Sequence, residues 1–220
     1  MYSRSPPGVH MTTSTARPDG NPTIRTIVGA APSVSLAPQS TALLVIDIQN
    51  EYFTGKLPIP DGLAVVRNAN RLIALADKHG MPVFHIQQWG SAERPLFTQN
   101  TAMAEIHPEV RRAAHHSTIR KTFPSSFAGT DLQQQLQARG VKKLIISGLM
   151  TNNCVAASAF DGVAHGYQVI IASDASATRD IESWDGSVSS HKDLHKAVLT
   201  GLSDAVAEIR TTSEILGLAI

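Results

Sequence analysis

From Thr41 onward, short apolar runs alternate with stretches whose apolar residues return every three or four positions. Leu43-Leu-Val-Ile-Asp47 is apolar at every step until its last residue, the pattern of a strand buried on both faces. Residues 61–79 follow, with Val65, Val66, Ala69, Leu72, Ile73 and Ala76 on one helical face. Asp61 stands as the N-cap, and Gly80 then Pro82 supply the stop. The same reading predicts strands at 81–86, 117–121, 144–147, 168–172 and 206–209, and helices at 130–140, 155–164 and from Ser190 or His191 to 202. Thr130-Asp-Leu-Gln133 reads as a capping box, and Gly140 and Gly166 read as helix stops. Residues 90–116 carry no clear period, with a short helix expected after Pro108. Strands alternating with helices imply right-handed crossovers and a parallel sheet covered on both sides, so the expected fold is a single doubly wound α/β domain.

Residues 1–38 are patterned differently. They hold six of the 12 prolines, and their only charged residues are Arg4, Arg17, Asp19 and Arg25. A segment of this composition buries little, so it is expected to form a flexible arm before a domain at 39–220, with 24–28 packing back as an edge strand or clasp. It lacks the apolar centre of a secretory signal. Its Arg- and Ser-rich, acid-poor character resembles a transit peptide, and a start at Met11 is the plainer reading.

Charge and cysteine content then narrow the function. A net charge of +1 is unlike a nucleic-acid binder. No apolar run approaches the roughly 20 residues that span a bilayer, and no basic amphipathic helix suits a membrane surface. The single cysteine, Cys154, allows no internal disulfide and no multi-cysteine zinc site, and it fits a reducing, cytoplasmic setting.

Cys154 lies where an apolar run ending at Gly148 passes through a short polar turn into an amphipathic stretch. A helix start offers unpaired N–H groups and a positive dipole end, which favour a thiolate and predict a nucleophile. A small buried apolar residue is the plainer alternative. In doubly wound folds the site lies beyond the C-terminal strand ends. Asp47, Lys121 and Cys154 all stand at such ends, so the topology gathers a base, a cation and a nucleophile along one edge. His85, ending the second predicted strand, could face the site. Trp89 is expected to form its wall, Gln49 and Phe53 to border it, and Phe127 to line it or pack beneath it. The segments expected to shape the pocket are 50–60, 88–116 and 176–190.

Four blocks, in order, resemble the isochorismatase-like cysteine hydrolase superfamily. They are Ala42-Leu-Leu-Val-Ile-Asp47-Ile-Gln-Asn-Glu-Tyr-Phe53, Arg120-Lys121-Thr-Phe-Pro-Ser-Ser-Phe127-Ala-Gly-Thr130, Ser147-Gly-Leu-Met-Thr151-Asn-Asn-Cys154-Val155 and Gly166-Tyr-Gln-Val-Ile-Ile-Ala-Ser-Asp174-Ala. The resemblance implies a six-stranded parallel sheet, an Asp47–Lys121–Cys154 triad, and a cis peptide at Leu149–Met150. It implies that the backbone N–H groups of Met150 and Cys154 receive a developing oxyanion. It also implies cleavage of an amide, ureido or lactam C–N bond in a small molecule through a thioester, with homo-oligomeric assembly.

Departures from the family matter as much. Members that cleave a vinyl ether typically carry glycine where Cys154 stands, so that activity is the alternative. Metal-dependent relatives carry an Asp-x-His after the first strand, but Gly62 and Leu63 follow Asp61 here, so no metal and no cofactor is expected. His191 and His195 have metal-ligand spacing, yet Lys192 occupies the place of a zincin glutamate. The neighbours His115 and His116 would point to opposite sides of an extended chain. An aspartyl phosphatase would need a second Asp where Gln49 stands, and no G-x-G-x-x-G or P-loop string occurs. A family member that binds a small molecule without turnover is the remaining non-enzymatic reading.

Overall fold

Strand β1 (Thr41–Ile46) is buried at every position and lies in the middle of a six-stranded parallel sheet. The computed structural model describes residues 20–220. The other strands are β2 (Val83–Gln88), β3 (Ser117–Lys121), β4 (Lys143–Leu149), β5 (Gln168–Ala177) and, after a two-stranded hairpin of β6 (Ile181–Glu182) and β7 (Val188–Ser189), β8 (Glu208–Arg210). The helices are α1 (Ile24–Ile27), α2 (Gly62–His79), α3 (Leu132–Ala138), α4 (Ala156–Ala164), α5 (His191–Ala205) and α6 (Thr212–Leu216). The sheet order is β3-β2-β1-β4-β5-β8, so the chain reverses direction across the sheet between β1 and β4. That reversal opens a crevice at the carboxyl ends of these two strands.

Alternate residues of β1 feed two cores. Leu43 and Val45 pack with α2 residues Val65, Val66, Leu72 and Ile73 on one face. Ala42, Leu44 and Ile46 pack with Leu132, Leu136, Val155 and Ala159 on the other. Each fully buried Leu or Ile contributes about 1.5–3 kcal/mol of transfer free energy, so this double burial fixes where β1 ends. Register places Val45 opposite His85 and Ser147, and Ile46 opposite Ile86 and Gly148.

Some elements depart from expectation. Residues 24–27 form a helix, not an edge strand: Thr23 caps it and the Ile24 N–H donates to Asp204 on α5. Strand β2 runs two residues past its expected end, because its last rungs pair with β3 through Gln88 and Lys121. Thr130 is not the partner in a capping box. Asp131 is the N-cap of α3 and makes no side-chain cap. Asp61 likewise caps α2 by position only. No helix follows Pro108; a short 3-10 turn at Ala102–Ala104 is the helical piece of that region. The hairpin and α6 were not expected. Thr211 and Glu214 form a reciprocal capping box at the start of α6. The expected flexible arm lies partly outside the described residues, and its described part rests on the domain. Leu36 joins the core, and Ser33 bonds Glu208. No helix among the described residues is long and apolar enough to cross a membrane.

Candidate active site

Asp47 follows the last residue of β1 in a left-handed backbone conformation (φ 50°), which an aspartate tolerates better than a branched residue. The turn aims its carboxylate into the crevice beside β4 and out of contact with solvent. Lys121 ends β3, two strands away, and its long side chain reaches back beneath β2. Its Nζ lies 2.7 Å from Asp47 Oδ2 with both side chains fully enclosed. The same ammonium donates to Gln88 Oε1 at 2.7 Å, to the Phe123 carbonyl at 3.2 Å and to Cys154 Sγ at 3.3 Å. Three groups far apart in sequence therefore meet through one nitrogen. The Asp47–Lys121 contact is an ion pair without hydrogen-bond alignment. Neither Asp47 oxygen has an aligned partner among the described residues.

Cys154 does not stand in a polar turn ahead of a helix beginning at 155, as its pattern suggested. Thr151–Val155 forms a π-helical turn, with the N–H groups of Asn153 and Val155 both donating to the Met150 carbonyl, and α4 follows. The turn is reached through Gly148, at φ 128°, where a Cβ would stand 2.0 Å from the Ile46 carbonyl oxygen. Only glycine lets β4 approach β1 this closely. The next peptide, Leu149–Met150, is cis. The loop after Lys121 is tied to α4: the Ser126 N–H and hydroxyl both meet Ser158 Oγ, at 2.9 and 2.8 Å, and Ser125 donates to Asp161.

Burial sets the electrostatics. It raises the Asp47 carboxyl above its ordinary value of 3.8, opposed by the Lys121 charge. For Lys121, burial pulls downward, but the facing Asp47 and Cys154 hold the ammonium above 10.5. Burial and the Asp47 charge push the Cys154 thiol up, not down. This works against the thiolate that a helix start was expected to favour. A helix start stabilises an anion by at most about 1–2 kcal/mol, and enclosure beside a carboxylate outweighs it. The surroundings thus favour an ammonium on Lys121 and a thiol on Cys154.

Cys154 opens onto a cavity of about 520 Å³. Tyr52, Leu57, Leu96, Phe97 and Met150 supply its apolar wall, and Gln88, Arg94, Thr122, Asn153 and Arg179 its polar one. Burial and the nearby Asp47 keep Tyr52 far above the ordinary phenol value, so it stays an O–H donor. No carboxylate lines this cavity among the described residues.

None of the four expected substrate contacts lines the cavity. Gln49 is fully buried as a brace: its amide donates to the carbonyls of Gln88 and Ala104 and accepts from the Gln88 N–H. Phe53 stacks on His107. Trp89 lies beneath the Arg120 guanidinium, 3.8 Å from the ring centroid, because alternation along an extended chain turns it away while Gln88 and Gly90 line the wall. Phe127 packs under its loop against His165 and Tyr167. His85 lies within β2 and faces His116 at 3.0 Å, away from Lys121 and Cys154. His115 and His116 do not diverge. Both ring Nε2 atoms meet Asp77 Oδ1, at the opposite edge of the sheet from Cys154. His191 pairs with Asp180, and His195 bonds Thr151. The lining residues Tyr52, Arg94 and Arg179 do come from the segments expected to shape the pocket, but nothing in their local pattern marked them individually.

Residues 41–214 match the family model described as the isochorismatase domain. The uncharacterized isochorismatase family protein YddQ of Bacillus subtilis is 37% identical over 80% of this chain and 99% of its own length. Maleamate amidohydrolase of Pseudomonas putida is 27% identical, over 80% of this chain and 84% of its own. Among solved structures, an isochorismatase from Pseudomonas putida KT2440 superposes with a TM-score of 0.83 at 26% identity, covering 89% of this chain and all of its own. N-carbamoylsarcosine amidase from Thermoplasma acidophilum gives 0.68 at 25% identity, covering 81% and 99%.

Proposed function

This chain belongs to the isochorismatase family and is a hydrolase, and from that premise we propose that it cleaves a C–N bond of a small amide through Cys154. The observation that carries this reading is the meeting of Lys121 Nζ with both Asp47 Oδ2 and Cys154 Sγ at the wall of an open cavity. Asp47 is the base. It takes the thiol proton as sulfur attacks the carbonyl carbon, so the thiolate exists only while the C–S bond forms. Lys121 stays charged throughout and offsets whichever of the two neighbours carries the negative charge.

The tetrahedral oxyanion is received by the backbone N–H groups of Met150 and Cys154. In support, the Met150 N–H meets no acceptor among the described residues. One well-placed donor of this kind contributes about 3–4 kcal/mol to an acyl transfer. Collapse breaks the C–N bond as Asp47 returns its proton to the departing nitrogen. Water then attacks the thioester, giving up a proton to Asp47, and the C–S bond breaks with that proton returning to sulfur. Relatives that act as a maleamate amidohydrolase and an N-carbamoylsarcosine amidase support the C–N assignment.

The cavity favours a substrate that also carries an anionic group. Arg179 has its Nε buried without a partner and no carboxylate within ion-pair distance among the described residues, and Arg94 stands at the rim. The test is a panel of small amides, carbamoyl amines and lactams scored for released ammonia or amine, with Cys154→Ala in parallel. Release by the wild type and none by Cys154→Ala is the expected result. Equal release by both would overturn the mechanism.

A further inference from the structure

His195 stands on the second turn of α5, outside the catalytic cavity, yet it reaches the segment that carries Cys154. Its Nδ1 lies 2.8 Å from the hydroxyl of Thr151, the first residue of the π turn and a fully buried one. With the ring proton on the other nitrogen, Nδ1 accepts from the Thr151 hydroxyl. One imidazole therefore links the nucleophile turn to α5. The next residue, Asn152, is held separately: its Oδ1 accepts from Thr178 Oγ1 at 2.5 Å, just beyond β5.

Close packing does not fix the imidazole. It borders a second cavity, of about 320 Å³, between α2 and α5. With open space beside the ring, its bond to Thr151 helps fix where the ring sits. The same bond restrains Thr151. The rest of the turn is held by the Asn153 and Val155 N–H groups, which both donate to the Met150 carbonyl, by Asn152, and by the buried side chains of Cys154 and Val155.

We propose that His195 is a positioning residue for the nucleophile, holding the Thr151–Val155 turn so that Cys154 Sγ stays against Lys121 Nζ and faces the cavity. This rests on the reading of Cys154 as the nucleophile. The bond acts through Thr151 and touches no substrate, so its loss lowers the rate of reaction at sulfur and leaves substrate binding nearly unchanged.

The experiment compares His195→Ala, His195→Asn and Thr151→Val with wild type in three measurements. These are the second-order rate of Cys154 alkylation by iodoacetamide, kcat and KM on an amide the wild type cleaves, and Tm. Displacing a reacting atom by about 1 Å costs up to roughly 100-fold. His195→Ala and Thr151→Val should each slow alkylation and kcat together by about 10-fold or more, with KM little changed. The double variant should lose no more than either alone, since both break one contact. His195→Asn, whose amide oxygen can replace Nδ1 as acceptor, should recover part of the loss. Variants that fold and alkylate at the wild-type rate, with only a lower Tm, would overturn the proposal. If His195→Ala does not fold, Thr151→Val and His195→Asn make the same comparison. A wild type that cleaves no amide would count against the proposed activity, and alkylation would still decide the role of His195.

Discussion

Lys121 Nζ and Asp47 Oδ2 lie 2.7 Å apart with both side chains fully enclosed, although 74 residues separate them in the chain. Removing either partner strands the other charge in a medium that solvates it poorly. Asp47→Asn should therefore abolish turnover and also cost about 3–5 kcal/mol in stability, measured by urea unfolding. Lys121→Met should abolish turnover as well. An Asp47→Asn protein of wild-type stability would mean that the pair is open to water.

Activity should show an acid limb and no alkaline limb through neutral pH. Asp47 works only while ionised, and burial raises its carboxyl above 3.8 against the pull of Lys121. Activity is lost as pH falls through that raised value, so the limb lies above the range of a free aspartate. Lys121 is held above 10.5, so it keeps its charge well into the alkaline range. The pH profile of kcat/KM reads both points, and an inflection near pH 8 to 9, where an ordinary thiol titrates, would contradict the resting thiol.

His85 makes stability depend on pH at the opposite edge of the sheet. Burial, with the neighbouring His116, lowers it from 6.5 to about 4. The unfolded chain takes this proton below about pH 6.5, while the folded one resists until about 4. Stability is therefore lost as pH falls through that window, by roughly 3 kcal/mol at 1.36 kcal/mol per pH unit. Unfolding of wild type and His85→Gln at pH 7, 5.5 and 4 should show the smaller loss in the variant. Parallel curves would assign the effect elsewhere.

Gly148→Ala should be among the most damaging single changes outside the triad. Its φ of 128° and a Cβ placed 2.0 Å from the Ile46 carbonyl oxygen force β4 away from β1 at the point where the nucleophile turn begins. A loss of about 3–5 kcal/mol is expected by thermal unfolding, with activity lost at temperatures where the protein remains folded. A mild effect on both would show that the strands separate easily.

Arg179→Gln should weaken capture of anionic substrates selectively. A charge-assisted contact of this kind is worth about 1.5–3 kcal/mol, or roughly 10- to 100-fold in KM. A neutral amide of similar size should be affected far less. Equal effects on both would remove Arg179 from substrate recognition.

The strand ends were the most legible feature of the site. Asp47 and Cys154 follow apolar runs buried on both faces, and Lys121 closes β3, a short edge strand buried at alternate positions, so the alternation of strands and helices places all three at one edge. The substrate wall was not legible residue by residue. Trp89 looked like a wall but packs under Arg120, whereas Arg179, which gave no local signal, lines the cavity. Bulk and proximity in sequence do not say which way an irregular chain turns its side chains, because tertiary contacts from β3 and the 90–100 loop decide it.

By itself, the sequence determined a doubly wound α/β domain with a carboxylate, an ammonium and a thiol at its carboxyl edge, because period and strand burial are local properties of the chain. Only the tertiary structure decided the state of those groups. Whether Cys154 rests as thiol or thiolate depends on how completely water is excluded and how near Asp47 stands, and both follow from strands folded together across long intervals. The tie from His195 to Thr151 belongs to the same class. Its partners are 44 residues apart, on elements that meet only once the sheet has closed against α5.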